Sequence, residues 1–161
     1  MLGLSRRFEI DSVELDAAWK RVAQAVHPDR FATRSAAEKR VAMQWSSQAN
    51  EAYRILKDPL SRARYLCELA GVDLQTETNT AMEPEFLFRQ MTWHEQLEEL
   101  VENPSDQSAR QRFAHELGVA ECEVIAAVSQ HFENGRYDLA AARVREWMFL
   151  NKLIAQCRAI N

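Results

Sequence analysis

The sequence predicts an all-α protein, and three observations carry that prediction. Proline and glycine number only four each in 161 residues, so few positions interrupt a helix. Leucine, alanine and glutamate are abundant, as in long helices. Apolar residues also recur three and four apart, behind residues of the kind that cap helix starts.

Asp11 and Glu14 stand at capping-box spacing before the stripe Leu15, Trp19, Val22 and Val26. This predicts a helix of about four turns, ended by Pro28, which biases His27 out of helical geometry. Ser35 and Glu38 make a second capping box before Val41, Trp45, Ala49, Ala52 or Tyr53, and Leu56. Asp58-Pro59 opens a short third helix through Leu60, Ala63, Leu66 and Leu69, closed by Gly71. Residues 72–85 are polar and aperiodic and read as the connection between two domains, at 1–71 and 86–161. Three more helices are expected at about Glu85–Glu102, Asp106–Glu133 and Asp138–Cys157, separated by Asn103-Pro104 and Asn134-Gly135. Gly118 leaves open whether the middle one is kinked or split.

Charge is uneven along the chain. Residues 1–70 carry 12 Lys+Arg against 9 Asp+Glu, and residues 71–161 carry 8 against 15. A basic front and an acidic back suggest different partners for the two halves, and neither has the dense basic stripe of a nucleic-acid binder. No apolar run approaches the ~18 residues of a membrane span, and the start lacks the layout of a secretion signal. A soluble, reducing, cytoplasmic setting is therefore expected. Cys67, Cys122 and Cys157 form no C-x-x-C pair, which argues against a structural zinc site or a redox motif. All three read as small buried apolar side chains. His94, His115 and His131 have no ligand spacing that compels a metal, so no cofactor is expected.

The most informative tripeptide is His27-Pro28-Asp29, followed by Arg30-Phe31, between the first two helices. A rigid turn projecting an imidazole and a carboxylate makes a compact recognition tip. Asp29 could accept a bidentate pair from a partner's arginine. Lys20 and Arg21, on the polar side of the preceding helix, could steer an acidic partner. Three residues alone would suit an ordinary helix–helix turn equally well.

Further motifs follow in order: Asn50-Glu51-Ala52-Tyr53, then Leu56-Lys57-Asp58-Pro59-Leu60-Ser61-Arg62-Ala63-Arg64-Tyr65-Leu66, then Phe86-Leu87-Phe88-Arg89-Gln90-Met91 and Phe149-Leu150-Asn151-Lys152-Leu153. In this combination the chain resembles, over nearly its whole length, the HscB family of J-domain co-chaperones of iron–sulfur cluster assembly.

The resemblance implies an L-shaped pair of domains. A J domain would stimulate the ATPase of an HscA/DnaK-like chaperone through His27, Pro28 and Asp29, supported by Lys20 and Arg21. A C-terminal three-helix bundle would bind an IscU-type scaffold protein. ATP and the hydrolytic residues belong to the chaperone, so no enzyme activity is implied for this chain. Two departures stand out. Family members begin with a short helix before the segment matching Leu2-Gly3-Leu4, so the first J-domain helix is expected to be missing. Leu2, Leu4 and Phe8 would then cover only part of the helical hairpin. The C-x-x-C segment of some relatives is also absent from this sequence.

The first helix of the acidic half adds a reading independent of family likeness. At about 100° per residue, Phe86, Trp93, Leu97, Leu100 and Val101 fall within one arc and predict its core face. Leu87, Phe88 and Met91 lie roughly 100–200° away, beside Glu95, Glu98 and Glu99. Three large apolar residues next to carboxylates, opposite the core, make a binding surface. In the last helix Ala140, Val144, Trp147, Leu150 and Ile154 form the core stripe, and Phe149 points roughly 160° from Trp147, where it could complete the patch. By the resemblance, Leu87, Phe88, Met91, Glu95, Glu99 and Phe149 are scaffold contacts, while Thr92 stands where relatives often carry an acid. The alternative is that the second stripe is buried against the other domain.

Three other functions compete. A general J protein for unfolded clients would need a Gly/Phe-rich linker or a β-rich client domain, and this sequence has neither. A hydrolase built on His27 and Asp29 would need them to orient one another across a proline, and no nucleophile accompanies them. A structural helical adaptor would leave every ATPase unaffected.

Overall fold

The computed structural model describes residues 2–74 and 84–160. Its elements are α1 (Ser12–Ala25), a 3-10 turn (Pro28–Phe31), α2 (Ala36–Lys57), α3 (Pro59–Leu69), α4 (Pro84–Glu102), α5 (Gln107–Glu133) and α6 (Tyr137–Ala159). No strand occurs among the described residues. The chain divides into two compact units, Met1–Leu66 and Cys67–Asn161, with α3 running across the division. Of the expected connection at 72–85, residues 75–83 lie outside the described residues. Glu85 already belongs to α4, because Pro84 takes the first helical position, where a missing N–H costs nothing.

In the first unit the caps set the helix starts. Asp11 accepts from the Val13 N–H at 2.8 Å, but Glu14 faces Arg7 at 3.8 Å instead of completing the expected box. Ser35 and Glu38 do form the full reciprocal box at the start of α2. Asp58 accepts from the Ser61 N–H at 2.7 Å at the start of α3.

α1 and α2 pack as a hairpin around Leu15 and Ala18, with Trp19, Val22, Ala52, Tyr53 and Leu56 against them. Leu2 and Leu4, ahead of α1, join this core. Polar contacts run along the same seam. The Trp19 indole donates to Asn50 at 2.9 Å, the Tyr53 hydroxyl to Asp16 at 2.7 Å, and Lys57 to the Tyr53 oxygen at 2.9 Å.

The expected α2 stripe fails at its first half, where Val41 is 50% and Trp45 46% exposed. The buried positions there are Ala42 and Ala49, which permit close helix approach. A seam with one partner helix is narrow, and Val41 and Trp45 lie roughly 40–100° around α2 from those alanines. Leu69, the last residue of α3, is likewise exposed. Phe8 is buried beneath the Arg62 guanidinium at 5.2 Å, and Arg62 also donates to the Leu56 carbonyl. Desolvation lowers the Arg62 pKa, and the nearby Glu9 and Asp58 oppose that shift.

The second unit opens at the end of α3. Gly71 takes the left-handed conformation (φ +75°), and the Val72 N–H closes the helix on the Cys67 carbonyl at 3.0 Å. α5 is one continuous helix through Gly118, capped at its start by Asp106 on the Ala109 N–H at 2.8 Å. It ends at Asn134 and a left-handed Gly135, where the Arg136 N–H reaches the His131 carbonyl at 2.9 Å.

α6 packs most extensively against α5 and is covered almost all round from Ala140 to Leu150, while Asn151, Lys152, Ala155 and Gln156 leave one face of its second half exposed. Trp93 of α4 donates to Glu116 at 2.7 Å, and Trp147 of α6 to Glu121 at 3.0 Å, so both indoles hold α5. Charges are buried here too. Glu146 takes Arg143 on both oxygens at 2.9 Å, and Arg145 donates to the Asp73 carbonyl at 3.4 Å.

Three expectations need correction. Val101, placed in the core arc, is 61% exposed, because it sits at the edge of that arc in the last turn of α4. Ile154 is half-buried although it lies within its stripe, in the last two turns of α6 where Ala155 and Gln156 are exposed. Cys67 and Cys157 are buried as expected, but Cys122 lies on the outer face of α5. Burial pushes the Cys67 thiol up to about 11, and raises that of Cys157.

Candidate interaction sites

The His-Pro-Asp turn forms the tip between α1 and α2. His27 is its extended N-cap residue, with φ −61° and ψ 129°, and Pro28 occupies the first position of the 3-10 turn. The His27 Nδ1 accepts from the Asp29 backbone N–H at 3.3 Å and lies 3.6 Å from the Asp29 carboxylate. The hydrogen bond across the proline thus joins the His27 ring to the Asp29 backbone, while the two side chains only approach one another. The turn bends back tightly enough for His27 to reach over Pro28. Arg30 folds the other way and donates to the Gln24 carbonyl at 3.3 Å, satisfying an open acceptor at the end of α1.

The Asp29 side chain is 91% exposed, so its oxygens are open to a partner. Lys20 and Arg21 are exposed on α1. A donor-rich guanidinium approaching this tip would meet a free carboxylate held on a short turn.

The second candidate lies on α4. Phe86, Trp93, Leu97 and Leu100 are buried, while Leu87, Phe88 and Met91 are 43%, 72% and 63% exposed. Glu95, Glu98 and Glu99 are exposed beside them. Thr92 donates back to the Phe88 carbonyl at 3.3 Å. The result is an apolar strip edged by carboxylates, in a unit whose other face supplies the core.

Phe149 occupies a different position from its neighbours in this set. It does project away from the α5-facing side of α6, but α4 stands there. Its half-buried ring packs edge-on to Phe86 at 5.8 Å, stacks on Trp93 at 6.4 Å and meets His94 edge-on at 5.6 Å. Phe149 is therefore part of the seam joining α4 to α6 before it is part of any surface. His94 lies three residues after Met91 and seven after Leu87 on one face of α4, so the Phe149 ring borders the exposed strip.

The buried charges Arg62, Arg145 and Glu146 escaped the sequence reading. The Arg143–Glu146 spacing of three on a helix was the available signal for one of them. No local signal marks Arg62 or Arg145, whose partners are backbone carbonyls.

Known proteins are similar to this chain over most of its length. The profile described as the HSCB C-terminal oligomerisation domain matches residues 82–158. The co-chaperone protein HscB homolog of Bordetella pertussis is 52% identical over 160 residues, covering 99% of this chain and 92% of that protein. The co-chaperone protein HscB homolog of Azoarcus is 45% identical over 154 residues, covering 95% of this chain and 86% of its own. Among solved structures, chaperone HscB from Vibrio cholerae superposes with a TM-score of 0.81 at 30% identity, covering 98% of this chain and 92% of that one. Human co-chaperone protein HscB gives 0.88 at 26% identity, covering 98% and 78%. The chain thus belongs to the HscB family, the J-domain co-chaperones of iron–sulfur cluster biogenesis, which stimulate a partner's ATPase and are not themselves enzymes.

Proposed function

We propose that the first unit engages an HscA/DnaK-like chaperone through His27, Pro28 and Asp29, with Lys20 and Arg21 as electrostatic support. The second unit binds an IscU-type scaffold through Leu87, Phe88, Met91, Glu95 and Glu99, with Phe149 shaping the edge of that surface. The chaperone hydrolyses ATP, the scaffold carries the cluster, and this chain brings the two together.

The observation that carries the reading is the division of α4 into two apolar faces. One is buried, and the other holds three large side chains in the open beside carboxylates. An exposed apolar strip of this size next to charge is a recognition surface more often than a neutral feature. The tip supports the chaperone half of the reading by presenting a carboxylate on a short turn, near basic residues that raise the encounter rate with an acidic surface.

The test is ATP turnover by the chaperone with scaffold present. Asp29→Asn preserves size and removes the charge that would pair with a partner arginine. Stimulation should be largely lost, while helicity by circular dichroism and scaffold binding by calorimetry are retained. Undiminished stimulation by Asp29→Asn at equal concentration removes the assignment of the tip.

A further inference from the structure

We infer that His27 is a positioning residue whose uncharged imidazole, accepting the Asp29 N–H at Nδ1, sets the direction of the Asp29 carboxylate. The inference rests on the proposed role of Asp29 and adds a protonation state and a tautomer to it.

Pro28 has no N–H, so the first backbone donor of the 3-10 turn is that of Asp29. At a helix start such a donor is normally met by the oxygen of Ser, Thr, Asp or Asn. Here His27 does that work, with its Nδ1 at 3.3 Å, while its carbonyl takes the Arg30 N–H at 3.0 Å. An imidazole nitrogen accepts only when it bears no proton, so the contact from the Asp29 N–H is a hydrogen bond when His27 is neutral with its hydrogen on Nε2. The Asp29 carboxylate is carried by the residue whose backbone is held in this way.

Protonation changes the chemistry of the same contact. A protonated Nδ1 cannot accept from the Asp29 N–H, and it faces the Asp29 carboxylate across 3.6 Å. The imidazolium then competes with a partner's guanidinium for that carboxylate. The charged residues closest in sequence to the turn are Lys20 and Arg21 on α1, Arg30 in the turn, and Arg34, Glu38, Lys39 and Arg40 around the start of α2, with Glu14 and Asp16 at the far end of α1. Arg34 and Glu38 face each other at 3.9 Å, and Arg30 is turned to Gln24.

Two substitutions separate the nitrogens, because an asparagine oxygen can stand near Nδ1 and a glutamine amide near Nε2. Chaperone ATPase stimulation is measured from pH 6 to 8 with the wild type, His27→Asn, His27→Gln and Asp29→Asn. Normalising each pH to His27→Asn cancels the chaperone's own response. His27→Asn should keep most of the stimulation at pH 8. His27→Gln should lose roughly tenfold, the scale of one hydrogen bond. The wild type should fall relative to His27→Asn toward the acid end of that pH range, where a proton on Nδ1 would displace the Asp29 N–H.

A second readout needs no chaperone. Nitrogen-15 spectra should place the His27 proton on Nε2 at pH 8, and the Asp29 amide should titrate with His27 in the wild type only. The inference is overturned if His27→Gln keeps stimulation and His27→Asn does not, which would mean contact through Nε2. Equal retention or equal loss in the two variants overturns it as well, as does a proton on Nδ1 at pH 8. Full stimulation by Asp29→Asn would instead remove the underlying role of Asp29, and the tautomer and amide titration would still decide whether His27 holds that backbone.

Discussion

Replacing Leu87, Phe88 and Met91 together by alanine should separate binding from folding, with Trp147→Ala as its counterpart. Trp147 is 4% exposed and its indole donates to Glu121 at 3.0 Å. Removing it empties a packed site and deletes a hydrogen bond, which costs about 3–5 kcal/mol of stability. The three α4 residues are 43%, 72% and 63% exposed. Full burial of such side chains is worth about 1.5–3 kcal/mol each, so their covered portions together amount to little more than one buried side chain. Alanine's higher helix propensity returns about 1 kcal/mol over the three positions, leaving a net loss of roughly 1–2 kcal/mol. Scaffold affinity should fall about 100-fold or more, because central apolar residues dominate such interfaces and each tenfold step is about 1.4 kcal/mol. Calorimetry would follow scaffold binding, and urea titration would follow folding on the same samples. If the triple variant unfolds as readily as Trp147→Ala while its folded fraction binds scaffold normally, the strip is structural and the binding surface lies elsewhere on the acidic unit.

Two further outcomes are expected beside those for Asp29 and His27. Charge reversal at Lys20 and Arg21 should raise the concentration needed for half-maximal chaperone stimulation roughly tenfold and flatten its salt dependence, as loss of electrostatic steering does. An unchanged salt response would exclude those residues from the contact. In native protein at pH 8 an alkylating reagent should modify Cys122 and spare Cys67 and Cys157, because both are buried and burial holds the Cys67 thiol up at about 11. Mass spectrometry should show a single adduct, with all three cysteines reacting once the protein is unfolded, and rapid native modification of Cys67 would contradict its placement.

Local chemistry made the helices legible. Ser35 with Glu38, Asp106, Pro59 and Gly71 mark boundaries through contacts made within a few residues, and such contacts depend on neighbours in sequence alone. The two faces of α4 were legible for a related reason. A helix repeats every 3.6 residues, so Phe86 and Trp93 must part company with Leu87, Phe88 and Met91 whatever the helix packs against.

Periodicity stops short of saying which face meets which neighbour, and tertiary structure decided that. Val41 and Trp45 have the spacing of a core stripe, yet the hairpin closes on Ala42 and Ala49, because α1 covers only a narrow band of α2. Phe149 points away from Trp147 as the helical angle requires, yet its ring is half-buried, because α6 is covered on that side by Phe86 and Trp93 of α4. The reach of His27 over Pro28 to the Asp29 N–H also belongs to the folded turn. The sequence determined the helices, their caps and the residues available for recognition. Only the packing of one helix on another determined which of those residues remain open to a partner, since exposure depends on what lies opposite a side chain in space.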